Sequence, residues 1–380
     1  MSNLVLYRKY RPQLFADVVG QDHVKTTLLN AIEKDKVAHA YLFCGPRGCG
    51  KTTVARLLAK AVNCEEKSSP EPCNKCSSCT DILQNKSMDI IEIDAASHRG
   101  IDEVRELREG VRFGPTKGKY KVFILDEAHQ LTSGAANALL KILEEAPSHA
   151  IFILATTESQ KMISTIISRC QRFDFHKITV PEMVGRLSKI AKKEKVKIEE
   201  DVLKMIASTS EGALRDAEGL LSQVISFTSK EGIITKEDAK NILGLIERGI
   251  IANFIDLVIK GDAIKALEAI EGSLFEGITP EIFYDSVTQH LRDMMLVKIL
   301  IESNEIDKSN SIIEALYTKL TKEEFEHIKK QAESVNITDI KEIIDYFYSA
   351  GQRIKYSPIP QLPLEIATVE SVERLKKREE

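Results

Sequence analysis

Residues 40–63 read AYLFCGPRGCGKTTVARLLAKAVN, and this stretch decides the fold. Its first residues are continuously apolar, which predicts a strand buried on both faces. Gly45-Pro46-Arg47-Gly48-Cys49-Gly50-Lys51-Thr52 then fits G-x-x-x-x-G-K-[ST] at every position, and helical spacing begins at Lys51. Glycines let such a loop wrap so that backbone N–H groups point inward. The helix N-terminus adds partial positive charge at the same point, so the loop suits phosphate groups. Lys51 is expected to reach the β- and γ-phosphates of ATP and Thr52 to place its hydroxyl on Mg²⁺, with Thr53 completing the contact stretch. The bland alternative is a glycine-rich turn with a chance lysine. The strand before it and the helix after it argue against that.

Working outward, further strands are expected at DIIEID (89–94), KVFILD (121–126), AIFILATT (150–157) and QRFDFH (171–176), with helical patterns between them. Near-continuous apolar strands separated by helices indicate a parallel sheet covered on both faces. Asp126 ends one such strand, in position to hold the Mg²⁺ shell, and Glu127 follows it as a candidate for polarising an attacking water. Two acidic residues capping the next helix would be the ordinary reading without the glycine loop upstream. Asp126-Glu127-Ala128-His129 also spells the DEAH of one helicase superfamily. Those enzymes need a second α/β motor domain, and the remainder of this chain reads helical. His129 is therefore read as a helix-start residue.

The pattern changes after Thr179-Val180-Pro181. Helical spacing runs to about 242 with a break at Ser210-Glu211-Gly212, then continues to the end with breaks at Gly261, Gly272 and Ile278-Thr279-Pro280. The final VERLKKREE reads as a solvated charged tail. The expected organisation is an α/β domain (1–178), a small helical domain (179–242), a second helical domain (243–368) and a tail (369–380).

Hydrophobic residues make up 43% of the 380 and charged residues 29%, ample for a globular core. The net charge of -4 does not announce a nucleic-acid binder, so any DNA contact must use a local patch or partners. The N-terminus lacks the apolar core of a secretory signal, and no apolar run is long enough to span a membrane, so a cytoplasmic location is the default. Seven cysteines are present, and Cys64, Cys73, Cys76 and Cys79 are spaced C-x8-C-x2-C-x2-C. Without an export signal this favours metal over disulfide. Four sulfurs make a closed tetrahedral Zn²⁺ site with no open position for water, hence a structural metal in a module spanning 64–79. Cys44, Cys49 and Cys170 read as ordinary thiols.

Taken together, these residues resemble a known family. The opening Arg8-Lys9-Tyr10-Arg11-Pro12 and Phe15-Ala16-Asp17-Val18-Val19-Gly20-Gln21 are similar to the start of AAA+ clamp-loader subunits. So are the P-loop, the four cysteines, Asp126-Glu127, Ala155-Thr156-Thr157, Ser168-Arg169-Cys170 and Gly212-Ala213-Leu214-Arg215-Asp216-Ala217. The pattern resembles the bacterial DNA polymerase III gamma/tau family, strongly over about 1–242 and more weakly beyond. The resemblance implies a RecA-like AAA+ domain with a zinc-binding insertion, a helical lid and a C-terminal helical collar. It also implies an ATP-hydrolysing subunit working with other loader subunits, in a five-membered assembly, to place a sliding clamp on primed DNA. Self-association of the isolated chain is a further implication.

The resemblance assigns roles that spacing alone does not. Thr157 becomes a sensor of the γ-phosphate and Arg215 a lid residue that touches phosphates. Tyr7, Arg11, Val18, Val19 and Leu214 border the adenosine, although apolar residues there are equally explained as core. Arg169 becomes an arginine finger acting in trans on a neighbouring subunit's site, the alternative being an ion pair with Asp174 or another carboxylate in its own domain. His98, Arg99, Gly100 and Arg105 fall in the stretch that would meet DNA phosphates. His98 stands where relatives can carry arginine, and a solvated charged face accounts for the same residues. Two rivals remain: a non-catalytic scaffold subunit, opposed by intact Lys51, Thr52, Asp126 and Glu127, and a branch-migration motor, opposed by the cysteine insertion.

Overall fold

The computed structural model describes residues 5–376 apart from 67, 85, 228–231, 244–245, 304–312, 314–315 and 317–319. The chain forms two compact units, Met1–Thr235 and Lys236–Glu380.

The first unit runs α1 (Leu6–Lys9), α2 (Asp22–Glu33), β1 (Ala40–Cys44), α3 (Lys51–Val62), α4 (Ser77–Leu83), β2 (Ile90–Asp94), α5 (Ile101–Arg112) and β3 (Lys121–Asp126). It continues with α6 (Ser133–Glu144), β4 (Ala150–Thr156), α7 (Ser164–Ile167), β5 (Gln171–Asp174), α8 (Val180–Lys193), β6 (Lys197–Ile198), α9 (Glu200–Thr209), α10 (Leu214–Phe227) and β7 (Ile233–Ile234). Strands β1 to β5 form one parallel sheet in the order β2-β3-β4-β1-β5. The five apolar runs read from the sequence are these strands, each ending within two residues of its expected limit.

Alternation along the strands sorts the side chains into two cores. Tyr41, Phe43, Val122, Ile124, Ile151 and Ile153 face one way and pack with residues of α2 and α3. Leu42, Phe123, Leu125, Phe152 and Leu154 face the other way, against α5 and α6. Phe123 and Phe152 stack with ring centroids 5.3 Å apart. Burying one such ring stabilises by about 2 kcal/mol, so the middle of the sheet is a rigid platform for the loops at its C-terminal edge.

The helical part of this unit opens where the pattern changed. Glu182 accepts hydrogen bonds from the Thr179 backbone N–H (3.0 Å) and hydroxyl (2.7 Å), and a proline occupies the first turn of α8. The expected break after α9 uses Glu211 and Gly212, both in the left-handed region at φ 47° and 92°. A short parallel pairing of Lys197↔Ile233 and Ile198↔Ile234 was not expected in a helical stretch. Only two residues on each side take part, too few to show as a period-two pattern.

The second unit is helical among its described residues: α11 (Lys236–Leu243), α12 (Arg248–Ile259), α13 (Ala263–Phe275), α14 (Pro280–Glu302), α15 (Lys322–Ser334), α16 (Ile337–Ile354) and α17 (Leu362–Lys376). Phe254, Phe283 and Phe347 meet edge-on at its centre. Two expectations are corrected here. Gly272 does not break a helix, because α13 runs through it to Phe275; packing of Ala266 and Ile270 outweighs the ~1 kcal/mol propensity loss. The terminal stretch is not wholly solvated either. α17 extends to Lys376 and buries Val372 and Leu375 three residues apart on one face, while 377–380 lie outside the described residues.

Candidate functional site

The site is assembled where β1, β3 and β4 end. After Cys44 the chain must turn tightly, and Gly45 does so against the backbone of Phe175. A Cβ on Gly45 would fall 2.4 Å from the Phe175 carbonyl oxygen, so no other residue fits. Gly48, at φ 77°, lies against Ala213, where a Cβ would come within 2.9 Å of another Cβ. The Leu214 N–H donates to the Gly48 carbonyl at 3.1 Å, so the loop and the start of α10 are held together. Gly50, at φ 103°, leads into α3.

Lys51 is 6% exposed and donates its ammonium to the carbonyl oxygens of Gly45 (2.7 Å) and Pro46 (2.8 Å). Its charge is thus folded back over the loop it opens from. The Thr52 hydroxyl donates to Asp126 Oδ2 at 2.7 Å, joining the loop to β3. The next residue, Glu127, sits in the left-handed region at φ 48°, a strained conformation for a residue with a side chain. Its carboxylate accepts from the Thr157 hydroxyl at 2.9 Å. Lys51, Thr52, Asp126, Glu127 and Thr157 are therefore brought to one corner, as the sequence led us to expect of their elements.

A cavity of about 700 Å³ opens between the P-loop, which it meets at Pro46 and Arg47, and the start of α10; Tyr7, Lys177, Ala213 and Arg215 also line it, and none of those five corner residues does. The Arg215 guanidinium lies over the Tyr7 ring, 4.8 Å from its centroid. Arg215, and then Arg8, hold the Tyr7 hydroxyl below its ordinary pKa. Arg11 is half-buried, and burial lowers its pKa, with the positive charge of Arg56 acting the same way. Val18 is buried in the core beside α3; Val19 and Leu214 are partly exposed. Cys49 is buried and donates its thiol to the Pro46 carbonyl, and Thr53 is partly exposed.

Arg169 is not joined to this network. Its guanidinium donates to the Thr165 carbonyl at 2.9 Å and pairs with Glu144 at the end of α6. The own-domain ion pair considered from the sequence is therefore made, with Glu144 in place of Asp174; Arg172 takes the Asp174 carboxylate at 2.7 Å, being two residues away on the same face of β5. His98 and Arg99 are exposed and Gly100 caps α5. Arg105 is engaged with Asp102 at 2.9 Å, and the first turn of α5 is acidic with Asp102 and Glu103.

Sequence reasoning undervalued His129. It lies in a 3-10 turn, Ala128–Gln130, with its side chain almost fully buried. Nδ1 stands 3.0 Å from the Thr156 hydroxyl and 3.4 Å from Glu127, and Nε2 stands 3.3 Å from Glu158. It braces the corner that carries Glu127 and Thr157. The signal was present, since a histidine two residues after that glutamate is close in space whatever the family. Glu144 had no comparable signal.

Four sulfurs, of Cys64, Cys73, Cys76 and Cys79, lie within 4.8 Å of one another. Backbone N–H groups of Lys75 and Cys76 point at Cys73 Sγ, and that of Cys79 at Cys76 Sγ, at 3.3–3.4 Å. These bonds lower the Cys73 thiol to a pKa of about 6, while burial raises Cys79 and Cys64. Such N–H to sulfur bonds favour thiolates, and the four-sulfur donor set fits a closed Zn²⁺ site.

Comparison with known proteins agrees with the geometry. Residues 20–179 match the family described as DNA polymerase III, delta subunit; 182–230 match the DNA polymerase III clamp loader subunit ATPase lid domain; and 234–380 match domain III of DNA polymerase III subunits gamma and tau. The tau subunit of Bacillus subtilis is 43% identical over 369 residues, covering 97% of this chain and 63% of that protein. The tau subunit of Escherichia coli is 38% identical over 299 residues, covering 79% and 46%. The chain belongs to the DNA polymerase III gamma/tau family. It spans less than two thirds of the length of these relatives. Among solved structures the chain is similar to the Thermotoga maritima RuvB Holliday junction branch migration motor, at a TM-score of 0.49 and 22% identity over 66% of this chain and 79% of that one. No helix among the described residues is long and apolar enough to cross a membrane.

Proposed function

We propose that this member of the family is an ATP-hydrolysing motor subunit of a clamp loader, working in the cytoplasm with other loader subunits to place a sliding clamp on primed DNA. The observation that carries the reading is the convergence of Lys51, Thr52, Asp126, Glu127 and Thr157 at the P-loop, whose Pro46 and Arg47 also wall the cavity that holds Arg215. On this reading residues 1–178 are the ATP-binding domain, 179–242 a lid and 243–368 a collar.

On this reading each side chain exchanges the partner it holds now. Lys51 exchanges two carbonyl oxygens for β- and γ-phosphate oxygens, which are charged and bind it more strongly. Thr52 and Asp126 would hold Mg²⁺, which supplies charge neutralisation on the phosphates. Glu127, released from Thr157, accepts a hydrogen bond from the attacking water, and Thr157 turns to the γ-phosphate. Arg215 exchanges the Tyr7 ring for phosphate oxygens and so ties the lid to the nucleotide. Arg169 exchanges Glu144 for a γ-phosphate bound to a neighbouring subunit. Cys64, Cys73, Cys76 and Cys79 would hold Zn²⁺ as a structural centre. Contact of His98, Arg99 and Gly100 with DNA phosphates belongs to the same proposal, with Arg105 available once freed from Asp102.

The test is ATPase activity of the full chain with its partner subunits, with and without clamp and primed DNA. Joint stimulation by clamp and primed DNA is expected. Stimulation by DNA alone, accompanied by strand unwinding, would overturn the loader reading. Mixing Lys51→Ala with Arg169→Ala chains is expected to restore hydrolysis at mixed interfaces. No recovery in mixtures shown to co-assemble would remove Arg169 from the reaction.

A further inference from the structure

We infer that Glu71 and Asn74 of the cysteine module are positioning residues for the nucleotide cavity, so that metal in the module and nucleotide at the P-loop strengthen each other's binding. The inference rests on the ATP reading above.

Both residues lie between cysteines or beside them, yet neither faces the sulfurs alone. The Glu71 carboxylate accepts the backbone N–H groups of Phe15 (2.8 Å) and Ala16 (2.9 Å). Asn74 sits inside the Cys73–Cys76 turn in the left-handed region at φ 60°. Its side-chain amide donates to the Gln13 carbonyl at 3.3 Å and accepts from the Lys60 ammonium. Lys60 is 2% exposed on α3 and donates also to Gln13 Oε1 at 3.1 Å. Gln13 in turn donates to the Arg11 carbonyl at 3.1 Å.

These bonds join three pieces of chain. One is α3, which starts at the P-loop lysine and ends two residues before Cys64. The second is the module loop. The third is the N-terminal segment 11–16, which continues from Tyr7, a wall of the cavity. The module holds that wall segment against the P-loop helix by gripping its backbone. Before α4 begins at Ser77, the described residues of the loop form no helix or strand of their own. Its shape depends on the four sulfurs being drawn together, and a closed four-sulfur centre does that. Lys60, one turn before Cys64, brings a buried positive charge to a site whose four thiolates leave it net negative around Zn²⁺. Anything that fixes the loop fixes the wall. By linkage, a nucleotide that needs the wall in place also favours the metal-bound loop.

Two measurements on the full chain test this. The first needs no substitution: release of Zn²⁺ to a chromophoric chelator, with and without saturating ADP. ADP is expected to slow release about fivefold, and a rate indifferent to ADP overturns the inference. The second is binding of a fluorescent ADP to zinc-loaded Glu71→Gln, which keeps the side chain's size and removes its charge. The affinity is expected to fall about fivefold for ADP and ATP alike. Displacement by inorganic tripolyphosphate, which uses the P-loop and not the wall, should stay within about twofold of the parent. A merely destabilised chain would lose both equally. Unchanged ADP affinity in Glu71→Gln overturns the inference and leaves the ATP reading standing. A parent chain that binds no nucleotide overturns both.

Discussion

In the α/β unit, polar side chains converge on the P-loop and the cavity it walls and hold one another only provisionally. In the helical unit they are turned inward and hold one another for good. Lys51 bonds to two carbonyls of its own loop, Arg215 rests on a tyrosine ring, and Glu127 leans on Thr157. Each of these partners is weaker than a phosphate or a polarised water. In the second unit, Gln331 accepts from His290 and donates to the Ala252 carbonyl and to Asp256, while His327 stands 3.0 Å from the same aspartate. In this network both ends of the Gln331 amide are taken, and among the described residues Thr288 Oγ1 of α14 is buried without a hydrogen-bond partner. The difference separates a surface built to be rearranged from a core built to keep its shape, and it explains why buried polar residues need not mark a site.

Four measurements sharpen or break that contrast. The largest effect is expected from Glu127→Gln, which keeps shape and removes the charge that would orient water. Turnover in the assembled loader should fall by about 100-fold or more while nucleotide still binds. Equal turnover would mean the corner is not catalytic. Lys51→Ala should weaken nucleotide affinity by roughly two orders of magnitude, as two charge-assisted contacts vanish, with the circular dichroism spectrum unchanged. Gln331→Leu should leave nucleotide affinity alone and lower the unfolding free energy of the second unit by about 2–3 kcal/mol, because His290 and Asp256 lose a buried partner. Urea unfolding measures it, and an unaffected midpoint would show that the network is idle.

The smallest effect concerns acid. Burial lowers the pKa of His290, and the Gln331 oxygen fixes its Nε2 as a donor. The folded-state value lies below the unfolded ~6.5, so the unfolded chain binds the extra proton first as pH falls. Stability of the second unit is therefore full above about pH 6.5 and declines below it, by at most ~1.4 kcal/mol per pH unit. Comparing urea midpoints at several pH values with those of His290→Asn should show the slope flattened in the variant. A slope that persists would assign it to other groups.

What was legible in the sequence was what is encoded locally. The P-loop, the ends of β3 and β4, and the four cysteines depend on neighbours within a few positions, and spacing reports them. The single sheet covered on both faces followed from runs too apolar to face water. Arg169 and Glu144 are 25 residues apart, and Glu71 and Phe15 are 56 apart; no periodicity connects such pairs. The tail was misread because three charges around Leu375 hide one apolar face of α17. His129 was discounted because its letters matched a motif that needs a second α/β domain, and the rest of the sequence reads helical. Rejecting the motif also discarded the geometry that its spacing implies.

The position of β1 in the sheet also has a consequence for how the protein is made. Its neighbours are β4 and β5, so Tyr41 pairs with Ile153 on one side and Gln171 on the other. The phosphate loop is synthesised early, yet the strand that aims it waits for partners more than a hundred residues downstream. Contacts so far apart in sequence form slowly and only after the intervening chain exists. Until Thr156 has left the ribosome, Tyr41 and Phe43 are apolar side chains without a sheet, a surface that invites chaperones or aggregation. A nascent chain halted before that point carries the entire glycine motif and is expected to retain no nucleotide.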